Sequence, residues 1–224
     1  MNLHEYFLNN NGKLIHKWIH YFDIYERHFR KYVHQKMLII EIGVFEGGSI
    51  QMWKDYFGPW AKVVGIDINP NCKKFENPEN NIFVEIGSQS DPDFLKSVIE
   101  KYGRPDILVD DGSHKMSDII TTFENLYSQV KDDGIYLVED LHTSYWPQYE
   151  GGLKLENTFI EYAKNKIDEL NAVWTNGQIP MTDFTKNTQS ICYYDSIIVF
   201  EKRVQGMRMD IKTANFDTFK NHLK

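Results

Sequence analysis

Met37-Leu-Ile-Ile-Glu-Ile-Gly43-Val-Phe-Glu-Gly-Gly-Ser49 is a short apolar run that breaks into a glycine-rich turn. Four runs of the same kind follow: AKVVGIDI (61–68), NIFVEIG (81–87), DILVDDG (106–112) and GIYLVED (134–140). Continuous rather than alternating hydrophobicity predicts strands covered on both faces, as in a parallel sheet. Between the runs lie helical stretches, GSIQMWKDYF (48–57), DPDFLKSVIEKY (91–102) and KMSDIITTFENLYSQV (115–130), the last with Met116, Ile119, Ile120 and Phe123 on one face. This alternation predicts a doubly wound α/β fold with ligands beyond the carboxyl ends of the strands. SICYYDSIIVFEKR (190–203) reads as two strands joined tightly near Tyr194 and Asp195, an antiparallel pair at the sheet edge.

Outward from this region, residues 14–33 place Leu14, Ile15, Trp18, Phe22, Tyr25, Phe29 and Tyr32 at helical spacing. An amphipathic helix packed on its own domain is expected, with a homo-oligomer interface as the competing use of the same side chains. After the fifth run come an aromatic loop (141–152), a helix from about residue 154 to 170, and an irregular connection over 174–187. The resulting division is an N-terminal arm (1–36), a central domain (37–204) and an unassigned tail (205–224).

Composition narrows the function classes. The 224 residues are 42% apolar and 25% charged, with only 14 Gly and 7 Pro, which suits one globular core and excludes collagen-like or disordered chains. A net charge of −7 disfavours a nucleic-acid partner, which needs clustered cations, although residues 1–36 hold 6 Lys/Arg against 3 Asp/Glu. Cys72 and Cys192 show no metal-knuckle spacing, and neither a signal-peptide core nor a membrane-length apolar run is visible. A cytoplasmic protein without a membrane span is expected.

The turn Glu41 to Ser49 is of nucleotide-binding type, but Phe45 stands where a dinucleotide fingerprint requires glycine for pyrophosphate approach. Asp67, at the end of the second run, is placed to accept ribose hydroxyls. A nucleoside without a diphosphate remains, and S-adenosylmethionine is the commonest such ligand. Ser88 and Gln89 after the third run can reach an adenine edge, although Asp91-Pro92 is also an ordinary helix start. Asp110, Asp111, His114, Glu139 and Asp140 share one rim, and carboxylates so crowded call for a cation, magnesium or calcium rather than zinc. His142 is a weaker candidate.

EIGVFEGGS, GIDI, GSQSD, DDGSH and VEDLHTSYWP, in this order and spacing, resemble the metal-dependent S-adenosylmethionine methyltransferases typified by macrolide-sugar O-methyltransferases, relatives of the cephalosporin-cluster superfamily. The resemblance covers about residues 14–202 and implies the Rossmann-like, seven-stranded class I methyltransferase fold. It also implies magnesium on Asp111, Glu139 and Asp140, His114 as general base, and cofactor contacts at Glu41, Gly43, Ser49, Asp67, Ser88, Gln89 and Asp110. Those enzymes carry an additional N-terminal domain where this sequence has a short arm. The expected activity is methylation of a hydroxyl on a sugar, glycan or glycosylated metabolite, free or nucleotide-linked, with Tyr145 and Trp146 flanking the acceptor ring. A catechol-type O-methyltransferase and a noncatalytic cofactor-binding partner are the alternatives.

Overall fold

The computed structural model describes residues 2–206 and 208–213. Seven strands, β1 (Leu38–Ile42), β2 (Lys62–Asp67), β3 (Ile82–Ile86), β4 (Ile107–Asp110), β5 (Ile135–Val138), β6 (Thr188–Tyr193) and β7 (Ile198–Lys202), form one sheet in the order β3-β2-β1-β4-β5-β7-β6. The first five are parallel; β7 runs antiparallel to β5, and β6 to β7. The order reverses between β1 and β4, so the crevice at their carboxyl ends is the switch point where a ligand is expected.

The strands alternate faces into two cores. Ile39, Val63, Val109 and Leu137 pack under helices α1 (Leu3–Leu8), α2 (Tyr21–Phe29) and α3 (Gly48–Phe57). Leu38, Ile40, Leu108 and Tyr136 pack under α4 (Pro92–Tyr102), α5 (Met116–Leu126), α6 (Phe159–Leu170) and α7 (Asp183–Asn187). This double burial is what left the runs without alternation.

The arm departs from the expected single helix. Only residues 21–29 are α-helical, continued by a 3-10 turn to Tyr32, while α1 precedes them with an Asn2/Glu5 capping box. Residues 10–18 run irregularly because Leu14 crosses the start of α3: a side chain on Gly48 would come within 2.2 Å of the Leu14 carbonyl oxygen. Tyr21, Phe22, Tyr25 and Phe29 are buried in the chain's own core, but Leu14 and Trp18, counted in the same stripe, are more than half exposed. Two other boundaries move. Thr158 caps α6, which starts at Phe159 rather than near residue 154, and a Thr182 capping box builds α7 inside the stretch read as irregular. Residues 207 and 214–224 of the tail lie outside the described residues.

Candidate active site

The glycine turn after β1 is fixed by the second strand's acid. Asp67 Oδ2 accepts the Val44 and Phe45 N–H groups at 2.9 and 3.0 Å, and Oδ1 accepts Asn69 N–H at 2.8 Å. Gly43 sits at φ +98°, and a Cβ there would lie 2.0 Å from the Asp111 carbonyl oxygen, so this turn and the loop after β4 meet only because position 43 lacks a side chain. Two cavities adjoin there. One, of about 370 Å³, is lined by Gly43, Ser49, Asp67, Asp111, His114 and Asp140 among others. The second, of about 160 Å³, shares Gly43, Asp67 and Gly112 with it and adds Ser88 and Gln89.

Several expected cofactor residues serve the interior. Glu41, fully buried, accepts from Ser49 Oγ at 2.6 Å and Trp53 Nε1 at 2.8 Å, and burial pushes its carboxyl up to about 7. Gln89 lines the smaller cavity yet donates to Asp110 and Thr122 and accepts from Ser113 N–H. Burial likewise raises Asp110 to about 7; its Oδ2 has no hydrogen-bond partner among the described residues, and it lines neither cavity. Gly43, Ser49, Asp67 and Ser88 do line them.

At the rim, ligand atoms of Asp111, His114 and Asp140 lie within 4.8 Å of one another. His114 Nε2 is 3.7 Å from Asp140 Oδ2 and 4.0 Å from Asp111 Oδ1. His114 and Asp140 both occupy the left-handed region, at φ +58° and +54°, so the loops after β4 and β5 hold strained backbone where the side chains converge. Tyr21 Oη donates to Asp140 Oδ1 at 2.6 Å, tying α2 to the same group. Two carboxylates and an imidazole in this arrangement suit an oxygen-preferring divalent cation.

Glu139 lies deeper. Its Oε1 accepts from Tyr25 Oη at 2.8 Å and its Oε2 from Lys17 Nζ at 2.8 Å; burial pushes the carboxyl above its ordinary value, against the pull of that ammonium. Lys17 also reaches Asp111 Oδ2 at 2.5 Å and Glu41 at 3.8 Å, with a side chain 3% exposed. Its burial opposes charge, but attraction to Asp111, Glu139 and Glu41 outweighs this and holds the ammonium protonated. Sequence reasoning missed this lysine, because one of four Lys/Arg residues in an aromatic stripe carries no local sign of a distant carboxylate partner.

Beside the rim runs an aromatic wall. Trp146, 42% exposed, packs on His142 at 4.7 Å and on Tyr149 at 6.1 Å; Tyr149 meets His114 at 6.2 Å, and Trp18 meets His142 at 5.7 Å. Tyr145 is exposed next to Trp146.

No protein-family profile matches the chain. Among curated proteins it is similar to mycinamicin VI 2''-O-methyltransferase of Micromonospora griseorubida, 38% identical over 156 residues, covering 65% of this chain and 38% of that protein. It is also similar to an 8-demethyl-8-alpha-L-rhamnosyl tetracenomycin-C 2'-O-methyltransferase of Streptomyces olivaceus, 32% identical over 202 residues, 85% of this chain and 52% of the relative. The chain thus spans about half the length of the curated relatives it matches, or less. Among solved structures, the MycE methyltransferase of the mycinamycin pathway, in complex with Mg and S-adenosylhomocysteine, superposes with TM-score 0.78 at 28% identity, covering 90% of this chain and 54% of that one.

Proposed function

The chain is a homologue of the macrolide- and tetracenomycin-sugar O-methyltransferases and has the class I methyltransferase fold, and on this premise we propose that it is a magnesium-dependent, S-adenosylmethionine-dependent O-methyltransferase acting on a sugar hydroxyl of a glycosylated small molecule. The observation that carries the proposal is the convergence of Asp111, His114 and Asp140 on the cavity that Gly43 and Asp67 also line. Cofactor and acceptor chemistry would then share one enclosure at the switch point of the sheet.

In this reading the paired cavities hold the cofactor, the smaller one taking the base beside Ser88 and the larger one the remainder beside Asp67 and Ser49. Asp111 and Asp140 would hold the divalent cation, with Glu139 as the third carboxylate that could join them. When bound, magnesium lowers the pKa of an acceptor hydroxyl. His114 accepts that hydroxyl's proton as the oxygen attacks the sulfonium methyl carbon; the methyl–sulfur bond breaks, its electron pair stays on sulfur, and S-adenosylhomocysteine leaves. Tyr145 and Trp146 offer ring faces to the apolar side of a pyranose. The relatives' names point to glycosides rather than catechols. A nucleotide-linked sugar is the alternative donor of the same hydroxyl, and a surface glycan would present it too.

We place the reaction in the cytoplasm, consistent with two unpaired cysteines and with no helix among the described residues long and apolar enough to cross a membrane. The aromatic side of α2 is spent inside the chain, so self-association would draw on Leu14, Trp18 and Ile19. Methyl-labelled S-adenosylmethionine incubated with rhamnosides, other glycosides and nucleotide sugars should label a sugar oxygen only with magnesium present. Stabilisation by S-adenosylhomocysteine should accompany it. Labelling that survives chelation, or no response to S-adenosylhomocysteine, refutes the assignment.

A further inference from the structure

Lys17 is the odd group of the rim. Its ammonium is buried in the segment between α1 and α2, on Asp111 Oδ2 and Glu139 Oε2, with Glu41 nearby. The same Asp111 carboxylate presents its other oxygen to the His114 and Asp140 cluster. One carboxylate therefore faces a resident cation on one side and a candidate cation site on the other. Like charges sharing a ligand repel, and little water screens them here, so a divalent cation drawing on Asp111 or Glu139 works against the lysine.

The segment that carries Lys17 is held by a few separate contacts: the Leu14 backbone against Gly48, the Lys13 ammonium over the Phe75 ring at 5.3 Å, and the Trp18 ring on His142. Ile15 is its buried apolar anchor, whereas Leu14, Trp18 and Ile19 around the lysine are each more than half exposed. Polar ties elsewhere in the segment are local, as from Asn10 to the Lys13 carbonyl, or peripheral, as from His20 to the Asp195 carbonyl at 3.3 Å. Leu14, Ile15, His16 and Lys17 also wall the larger cavity. Loosening the lysine would open that wall.

We infer that Lys17 is a tethered competitor for the divalent cation at Asp111 and Glu139, so that cation binding is coupled to release of the 10–18 segment from the cavity wall. The inference rests on the cation reading proposed above and adds that the chain itself supplies the occupant the cation must displace. A site of this kind binds its metal more weakly than its carboxylates alone would, and opens the cofactor cavity as the metal enters.

Two measurements on the full chain test it. Calorimetric titration with Mn²⁺ should show Lys17→Met binding at least tenfold tighter than wild type. Hydrogen exchange of residues 10–18 in the wild-type chain should speed up on saturation with Mg²⁺. Equal or weaker binding by folded Lys17→Met overturns the competition. Unchanged or slower wild-type exchange overturns the coupling, and decides the matter alone should Lys17→Met not fold. Cation binding by neither chain overturns the cation reading together with the inference; wild-type binding without either response overturns the inference only.

Discussion

Replacing Tyr21 by Phe removes one oxygen from the floor of the site and little else. The ring is fully buried against Tyr25 and His20, contacts that phenylalanine keeps. The hydroxyl donates to Asp140 Oδ1 at 2.6 Å, lies 2.9 Å from Ser196 Oγ, and accepts Asp140 N–H at 3.3 Å. Burial and the Asp140 carboxylate hold the phenol well above its ordinary pKa, so it remains a donor at working pH. A hydrogen bond to a charged group contributes about 1.5–3 kcal/mol. Because Asp140 sits on strained backbone, this bond sets which oxygen turns toward His114 and a cation. Partners that orient a metal ligand are worth roughly 10- to 100-fold in affinity, the same range expressed as binding. Tyr21→Phe should therefore weaken Mn²⁺ or Mg²⁺ binding by that factor in calorimetric titration, while turnover at saturating magnesium returns to near wild type. Wild-type affinity in the variant, or lost turnover that no magnesium concentration restores, refutes the reasoning.

His114→Ala should lower turnover by about 10²- to 10⁴-fold while Mn²⁺ affinity stays within a few-fold; a larger loss of affinity would make the imidazole a ligand instead of a base. Asp67→Ala should weaken S-adenosylhomocysteine binding by on the order of 1.5–3 kcal/mol, through lost ribose contacts and a freed glycine turn, and unaltered calorimetric affinity would dismiss both roles. Lys202, 6% exposed and bonded to the Tyr127, Ser128 and Val130 carbonyls, is lowered by burial to about 8 from an unfolded value of 10.5. The unfolded chain binds the extra proton in that window, so wild-type stability should rise relative to Lys202→Met, by about 2 kcal/mol between about pH 7.5 and 9.5. Urea unfolding of the two chains at both pH values checks this, and parallel pH profiles would contradict it.

The parallel strands were legible because burial on both faces erases alternation, and the antiparallel edge because Tyr194 and Asp195 interrupt an apolar run too short for a crossover. The rim acids were legible because strand ends in such a sheet converge. What sequence could not separate was depth. Glu139 and Asp140 are neighbours in the chain, yet one points under the sheet's end to Tyr25 and Lys17 and the other out to His114, a split set by the positive φ of Asp140. Periodicity failed in the arm for a related reason. The spacing of Leu14 and Trp18 mimics a helix, but contact with Gly48 and the draw of three carboxylates on Lys17 hold that stretch irregular. Long-range charge leaves no local periodic trace.

The path of the arm also bears on how the chain is made. Its ties reach far along the polypeptide: Tyr21 to Ser196 spans 175 residues, His28 to Tyr194 spans 166, and Lys17 to Glu139 spans 122. This aromatic stretch is therefore synthesised well before the partners it needs, on the order of ten seconds or more at ordinary elongation rates. Loop closure over such distances is slow, so the core under α2 and α3 should be among the last parts to consolidate. Until then the acids of the rim are gathered without their lysine, and the nascent domain exposes a sticky aromatic helix beside an unneutralised pocket.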